Sequence, residues 1–398
     1  MSNVHRVVEQ ISYVEAIKRA KSLATIIRER GKQAEELRQQ PKETIQEIVD
    51  SGLIRLLQPK KWGGHELFFD SLVDTTIEIA KADPSSGWCF TLLGLHSFML
   101  AGWPEKAQED VWSKNPNALI TSAFAPIGKM DHLEDGVRLS GSWSFSSGVD
   151  HSEWAMVGAF QPPEKAGMPP KHLMLLVPRE DYQIIDDWHV AGIEGSGSKT
   201  ITIVDAFVPN YRIVDLVGWS KFNDIPGTIV NKAPMYKLPV MTVIGHFLAS
   251  AVLGAALGAY DLWKETSKKK VAIYTQNQVT QFTHQQIRLS ECSVELDAAD
   301  AILHQSIEQL RTTEHLTAEK KVLLARNFAY VAKVGSKVTG RLFENSGASS
   351  IYSHNPMQRF WRDTQIMSMH AALNFDMAGE NFGRVELGVP LDPKNILI

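Results

Sequence analysis

The residues best suited to chemistry lie in three short stretches. Arg359–Asn374 (RFWRDTQIMSMHAALN) sets His370 among apolar residues at helical spacing, and imidazole is the side chain whose ordinary pKa lets it give or take a proton near neutrality. Leu139–His151 (LSGSWSFSSGVDH) gathers five serines, two aromatics and two glycines into a strand and its turn. That composition reads as a hairpin edge, or as hydroxyls and main-chain donors set beside flat rings for an aromatic ligand. Gly192–Thr200 (GIEGSGSKT) imitates a phosphate-binding loop, but Ser198 precedes the lysine where that motif needs glycine, and a strand follows instead of a helix. What remains is a surface turn, or a glycine-rich backbone that approaches a planar cofactor.

His96 lies in the apolar stretch 86–101 on a face with Cys89, Leu92, Leu93, Met99 and Leu100, so it is either a core histidine or a polar group in a pocket. Neither His96 nor His370 has a histidine or carboxylate three or four positions away, which argues against a helical chelate, and no metal is expected. The two cysteines, Cys89 and Cys292, are far apart and outside any CxxC, which fits a reducing cytoplasm better than a disulfide scaffold. No GxGxxG stands between a strand and a helix, so a nicotinamide site of the doubly wound type is not supported. With 41 basic against 45 acidic residues and a net charge of −4, nucleic acid is not an expected partner.

These stretches need a frame. Apolar periodicity predicts helices over 13–40, 43–51 and 86–101. From Ala118 the period changes, and short β-branched and aromatic runs predict strands at 118–124, 137–145, 154–160, 172–177 and 199–208. Long helices return at about 239–266, 276–311, 317–345 and 356–385. The expected organisation is an α-helical domain over 1–117, a β sandwich or barrel over 118–232 and a four-helix bundle over 233–398: an α+β multidomain fold. Leu238–Tyr260 carries no charged side chain and contains Gly254 and Gly258 at small-xxx-small spacing, as a membrane span does. Pro239, His246 and its many Ala and Gly residues favour the central helix of a soluble bundle, so no membrane is expected, and the polar N-terminus lacks a secretory pattern.

In this order the pieces resemble the acyl-CoA dehydrogenase fold over nearly the whole length. The local matches are LIRLLQPKKWGG (53–64), TSAFAP (121–126), Trp143–Gly148, Gly192–Ser198 leading into VDAFVP (204–209), and Arg362-Asp363. Members of that fold with dehydrogenase activity carry Tyr-Glu eight and nine residues after the arginine, and the Glu removes the substrate proton. Here those positions are His370 and Ala371, so that carboxylate is missing. SSGW (85–88), WSFSSG (143–148) with Asp150-His151, and the stretch bearing His370 resemble instead the flavin-dependent monooxygenases of the same fold, the oxygenase components of two-component aromatic hydroxylases of the steroid-phenol hydroxylase type. Relatives that hydroxylate hydroxyphenylacetate place a histidine on the strand occupied here by Ile120–Ser122, and this chain has none there.

The resemblance implies a reaction and a cast. Reduced flavin (FADH2 or FMNH2) arrives by diffusion from a separate NAD(P)H:flavin reductase, reacts with dioxygen at C4a, and the resulting hydroperoxide hydroxylates a small aromatic substrate such as a phenol or indole. His370 is expected to act as the base, Ser147 or its neighbour Ser146 to donate to the flavin or peroxide, and His96 to supply a further polar group. Ser122, Phe124, Trp143, Ser146 and Ser198 are expected to bind the cofactor, with Phe145, Trp88 and Asn374 against the substrate. Lys270, or Lys269, from a neighbour in a homotetramer is expected to reach the cofactor phosphate. The alternatives are an N- or S-monooxygenase of the same fold, an acyl-CoA dehydrogenase with a displaced base, and a helical binding protein without cofactor.

Overall fold

The structure, a computed structural model, describes residues 10–162 and 171–392 apart from 217, 220–223 and 314–315. Helix α1 (Tyr13–Leu37) begins where Ser12 accepts from the Glu15 N–H and buries Ala16, Ala20, Leu23, Ala24, Ile27 and Ala34 along one stripe. It ends at Arg38 in the left-handed region. After α2 (Lys42–Asp50) and α3 (Phe69–Ala80), α4 (Pro84–Ala101) starts with Asp83 accepting from the Ser86 N–H and proline in its first turn. Every residue of α4 except Leu92 is buried, as a helix without charges must be when it runs through the middle of a molecule. Helix α5 (Glu105–Trp112) closes the helical layer.

Seven strands follow, β1 (Ile120–His132), β2 (Gly136–Ser146), β3 (Trp154–Gln161), β4 (Lys171–Pro178), β5 (Gln183–Ile185), β6 (Lys199–Pro209) and β7 (Ile213–Asp215), in the order β5-β6-β2-β1-β3-β4-β7. Among the described residues only β1 and β3 pair in parallel. The long strand β1 serves both halves: Ile120–Ala123 and Gly128 pair with β3, while Lys129–His132 pair with β2 across a shift in register. That bend folds the two halves over one core of Val137, Leu139, Trp143, Val157, Leu175 and Ile203.

The C-terminal helices are α6 (Val240–Lys269), α7 (Thr283–Thr312), α8 (Ala318–Glu344), α9 (Pro356–Ser368) and α10 (Phe375–Glu386). The membrane-like α6 is a core helix, with 89% of its most apolar window buried. Its small-xxx-small pair serves packing: a Cβ at Gly254 would lie 2.7 Å from the Ile77 carbonyl and one at Gly258 2.5 Å from that of Lys81. The single helix expected over 356–385 is two. Helix α9 stops at Ser368, His370 turns extended with φ −57° and ψ 133° and caps a short turn at Ala371–Leu373, and Asn374 caps α10. Two side chains offering acceptors to nearby N–H groups replace the helical bonds there.

Candidate active site

The serine-rich hairpin and the glycine-rich turn meet. Strand β2 ends as β6 begins, with Ser146 opposite Lys199. Ser147 Oγ lies 2.7 Å from Ser198 Oγ, which lies 2.7 Å from Ser196 Oγ, and the Gly148 N–H donates to the Ser196 carbonyl at 3.0 Å. Thr121 Oγ1 donates to the Ser147 carbonyl at 2.9 Å, so β1 fixes the same turn from behind. The chain needs unusual backbone to do this: Phe145 has φ 69° and Gly148 φ 71°. A side chain at Gly148 would come 3.1 Å from Cys89 Sγ and 3.2 Å from Leu93, so only glycine lets the turn rest on α4. Ser146 Oγ is buried without a hydrogen-bond partner, an expensive state for a hydroxyl that a ligand atom would relieve. Phe145 is 72% exposed and meets Trp188 edge to face, with ring centroids 6.0 Å apart.

Trp88, one residue before Cys89 on α4, contacts the His370 ring at a centroid distance of 5.8 Å. His370 Nδ1 accepts from the Ala372 N–H at 3.2 Å, which assigns the proton of the neutral ring to Nε2. Protein crowds the ring although one side opens to solvent, and that desolvation lowers its pKa to about 4, so it is neutral at pH 7. His96 has the opposite tautomer. Its Nδ1–H donates to the Ile120 carbonyl at 2.5 Å, Ser122 Oγ donates to its Nε2 at 2.7 Å, and burial holds its pKa at about 4. The first histidine therefore offers an N–H, while the second has both nitrogens engaged.

The structure thus groups Ser146, Ser147, Ser198 and Phe145 on one turn, joins Trp88 to His370, and pairs His96 with Ser122. It separates the rest. Trp143 is fully buried in the core between the sheet halves, where its Nε1–H donates to the Gly158 carbonyl at 2.8 Å, so the expectation that it binds cofactor is corrected: inward alternation on β2 makes it a packing residue. Asn374, expected against the substrate, is occupied as the α10 cap, its Oδ1 accepting from the Met377 N–H at 2.9 Å. Phe124 is half-buried at the edge of the main core, and its carbonyl accepts from His172 Nε2. Lys270 ends α6 and donates to the Ser346 carbonyl of its own chain at 2.5 Å. Thr121, Trp188 and Ser196 join the turn without having been singled out. Thr121 and Ser196 lay inside quoted motifs, while Trp188 carried no sequence signal.

The donor set is hydroxyls, a neutral imidazole and flat rings, and it includes one buried hydroxyl without a partner. It fits the polar edge and flat ring system of a flavin. Among the described residues no group of three His, Cys, Asp or Glu side chains is placed to hold a metal ion.

Comparison with known proteins agrees with this chemistry. Residues 246–375 match the family model "Acyl-CoA dehydrogenase, C-terminal domain". The chain is 33% identical over 380 residues to the flavin-dependent monooxygenase oxygenase subunit HsaA of Rhodococcus jostii, covering 94% of this chain and 99% of that one. It is 31% identical to the oxygenase component of the FADH2-dependent resorcinol hydroxylase of a Rhizobium species, over 99% of this chain and 98% of that one. The crystal structure of the 3-HSA hydroxylase from Rhodococcus sp. RHA1 superposes with a TM-score of 0.90 at 33% identity, covering 96% of this chain and 99% of that one.

Proposed function

The chain belongs to the oxygenase components of two-component flavin-dependent monooxygenases, and from that premise we propose that it hydroxylates a phenol or indole at the junction of α4, the serine turn and the end of α9. The observation that carries this reading is the contact of His370 with Trp88, the residue before the Cys89 on which the turn rests, at the position where a dehydrogenase of this fold has its carboxylate neighbour. When bound, reduced flavin supplies the two electrons with which dioxygen is divided between product and water. Ser147 and Ser198 would hold the polar edge of the ring system, and Ser146 would gain the partner it lacks. Phe145 and Trp88 flank the aromatic substrate. His370 holds a proton at Nε2 and presents it to the reacting oxygen. Taking up a second proton converts both ring nitrogens to donors and breaks the Ala372 cap, so return to the neutral form is favoured. With Nδ1 engaged by the Ala372 N–H it has no free lone pair for a substrate proton, so it serves as a hydrogen-bond donor to the reacting oxygen in place of a free base. The buried wall of α4 excludes water from the same space.

The reduced flavin comes from a separate reductase, as the names of the relatives as oxygenase subunit or component imply. We further assign NAD(P)H as the reductant of that partner, diffusion as the route of transfer, a homotetramer in which Lys270 of a neighbour meets the cofactor phosphate, and the cytoplasm as the compartment. Light scattering and a K270A variant test the assembly: weaker flavin binding with the oligomer intact is expected. The activity is tested with a panel of phenols, indoles and amines, a generic flavin reductase and NADH, reading products by mass. A product one oxygen atom heavier, formed only with the reductase, is expected from the phenols or indoles. Desaturation of an acyl-CoA with an artificial acceptor, and nothing from the panel, contradicts the reading.

A further inference from the structure

Asp363 is only 2% exposed, yet it is a carboxylate, and its two oxygens face different parts of the molecule. Oδ1 accepts from the Ile193 N–H of the glycine-rich turn at 2.7 Å, and Oδ2 accepts from Ser85 Oγ in the first turn of α4 at 2.9 Å. Ile193 sits at φ 50° in the left-handed region. A β-branched residue there is strained and stays only when its surroundings fix it. Three hydrogen bonds do so: the one to Asp363, and those on the Ile193 carbonyl from the Ser196 N–H at 2.9 Å and the Trp188 Nε1–H at 3.3 Å.

The rest of the turn is wedged against the same helices. A Cβ at Gly192 would lie 2.9 Å from the backbone of Arg362, and one at Gly195 would lie 3.0 Å from Ala34 and 3.1 Å from Ser85. Arg362 donates to the Ala191 carbonyl at 3.0 Å and to Glu194 at 3.1 Å, and it is ion-paired with Glu35 on α1. At its far end the turn carries Ser196 and Ser198, which hold Gly148 and Ser147. One buried carboxylate therefore stands between the helix that leads to His370, the helix that bears Trp88, and the turn that positions the serine pair.

We propose that Asp363 is the positioning residue of this site: by holding Ile193 and Ser85 at once, it fixes the Ser147–Ser198 pair relative to Trp88 and His370. The catalytic consequence rests on the flavin reading above, while the clamp itself is a property of the chain alone. The charged groups that face Asp363 are Asp83 at the α4 cap with Arg359 beside it, Arg362 on its own helix, Glu35 on α1 and Glu194 on the turn. Shape and hydrogen bonding, rather than charge, do the holding. An asparagine in its place can accept from Ile193 through Oδ1 and donate to Ser85 Oγ through Nδ2, because a hydroxyl works in both directions.

The test compares D363A, D363N and S85A in the full-length protein. In D363A, amide exchange across 193–198 without any ligand should quicken about tenfold, and the dissociation constant for reduced flavin should rise about tenfold, each the size of one lost buried hydrogen bond. D363N should stay within about twofold of the parent in both, and S85A should fall between. A folded D363A with parental exchange and parental flavin affinity overturns the clamp; if D363A does not fold, parental exchange in S85A overturns it equally. D363N as damaged as D363A also overturns it, since charge would then be the cause. Faster exchange in D363A together with a parent protein that binds no reduced flavin supports the clamp and sinks the flavin reading.

Discussion

Two junctions of this molecule each hold a histidine between packed helices, and they treat it in opposite ways. Between α1, α3 and α7, a cleft of about 420 Å³ is lined by Asp74, Glu78, Lys81, Asp297, Asp300 and His304. His304 Nε2 lies 2.7 Å from Asp74 and its Nδ1 3.4 Å from Asp300, and hydrogen bonding to Asp300 and Asp74 raises its pKa to about 11. At the end of α9, the protein crowded against one side of the His370 ring lowers its pKa to about 4, although the other side meets solvent. At pH 7 one ring is cationic and the other neutral. In the charged cleft Tyr13 also donates to Asp74, so His304, Asp74 and Asp300 are engaged with one another or with their neighbours. The junction at the serine turn keeps, among the described residues, a buried Ser146 hydroxyl without a hydrogen-bond partner, and that unmet capacity is what a ligand there would satisfy.

The largest expected effect comes from removing the neutral ring. H370A should lower product formed per reduced flavin oxidised by about 100-fold, within the usual range for a proton-handling side chain, while H304A stays within about twofold of the parent. Mass spectrometry of product against flavin oxidation measures both, and equal losses would erase the distinction between the junctions. A smaller effect follows from shortening the hydroxyl chain. S147A should weaken reduced-flavin binding about tenfold, or ~1.4 kcal/mol, by anaerobic titration.

pH then separates the two junctions by sign. His65, His96 and His246 are all held near 4 by burial, below their ordinary value of 6.5, so they are neutral in the folded chain while the unfolded chain takes up protons; His370 is shifted the same way but is solvent-exposed on one side and adds less. Their stabilising effect is present above pH 6.5 and is lost as pH falls toward 4. Asp363 works in the other direction: burial and then Asp83 push it up to about 7, so its contribution is greatest at low pH and fades as pH rises through 7. Three buried histidines outweigh one carboxyl group, and the melting temperature should drop when pH is lowered from 7 to 5. A melting temperature that rises over that interval contradicts the histidine assignments. His304, with its raised pKa, contributes fully below pH 6.5 and loses that contribution as pH climbs through 11. Its pairs are partly exposed, so H304A should cost only about 1–3 °C in thermal unfolding near neutrality.

The order of helices, strands and helices was legible because periods of 3.6 and 2 leave plain marks over long segments, and the apolar α6 could be recognised as core from its alanines and glycines. The serine turn was legible for a different reason: so many hydroxyls in one hairpin have little use in packing. The break after Ser368 was not legible, since it depends on His370 and Asn374 turning their side chains back onto N–H groups, which leaves the apolar pattern unchanged. Trp143 misled because aromatic rings serve cofactors and cores alike, and only alternation along β2 tells them apart. Asp363 was visible as part of Arg362-Asp363, but its grip on Ile193 spans 170 residues and needs the fold.

The most direct test of the central claim is a single turnover. The enzyme is mixed anaerobically with one equivalent of reduced flavin and a phenol that the panel identifies, then exposed to isotopically labelled dioxygen. A neutral, water-excluding site that handles one proton through His370 predicts close to one labelled hydroxyl in the product per flavin oxidised, falling to almost none in H370A. Unlabelled product, or flavin oxidised with the phenol untouched in the parent enzyme, contradicts it.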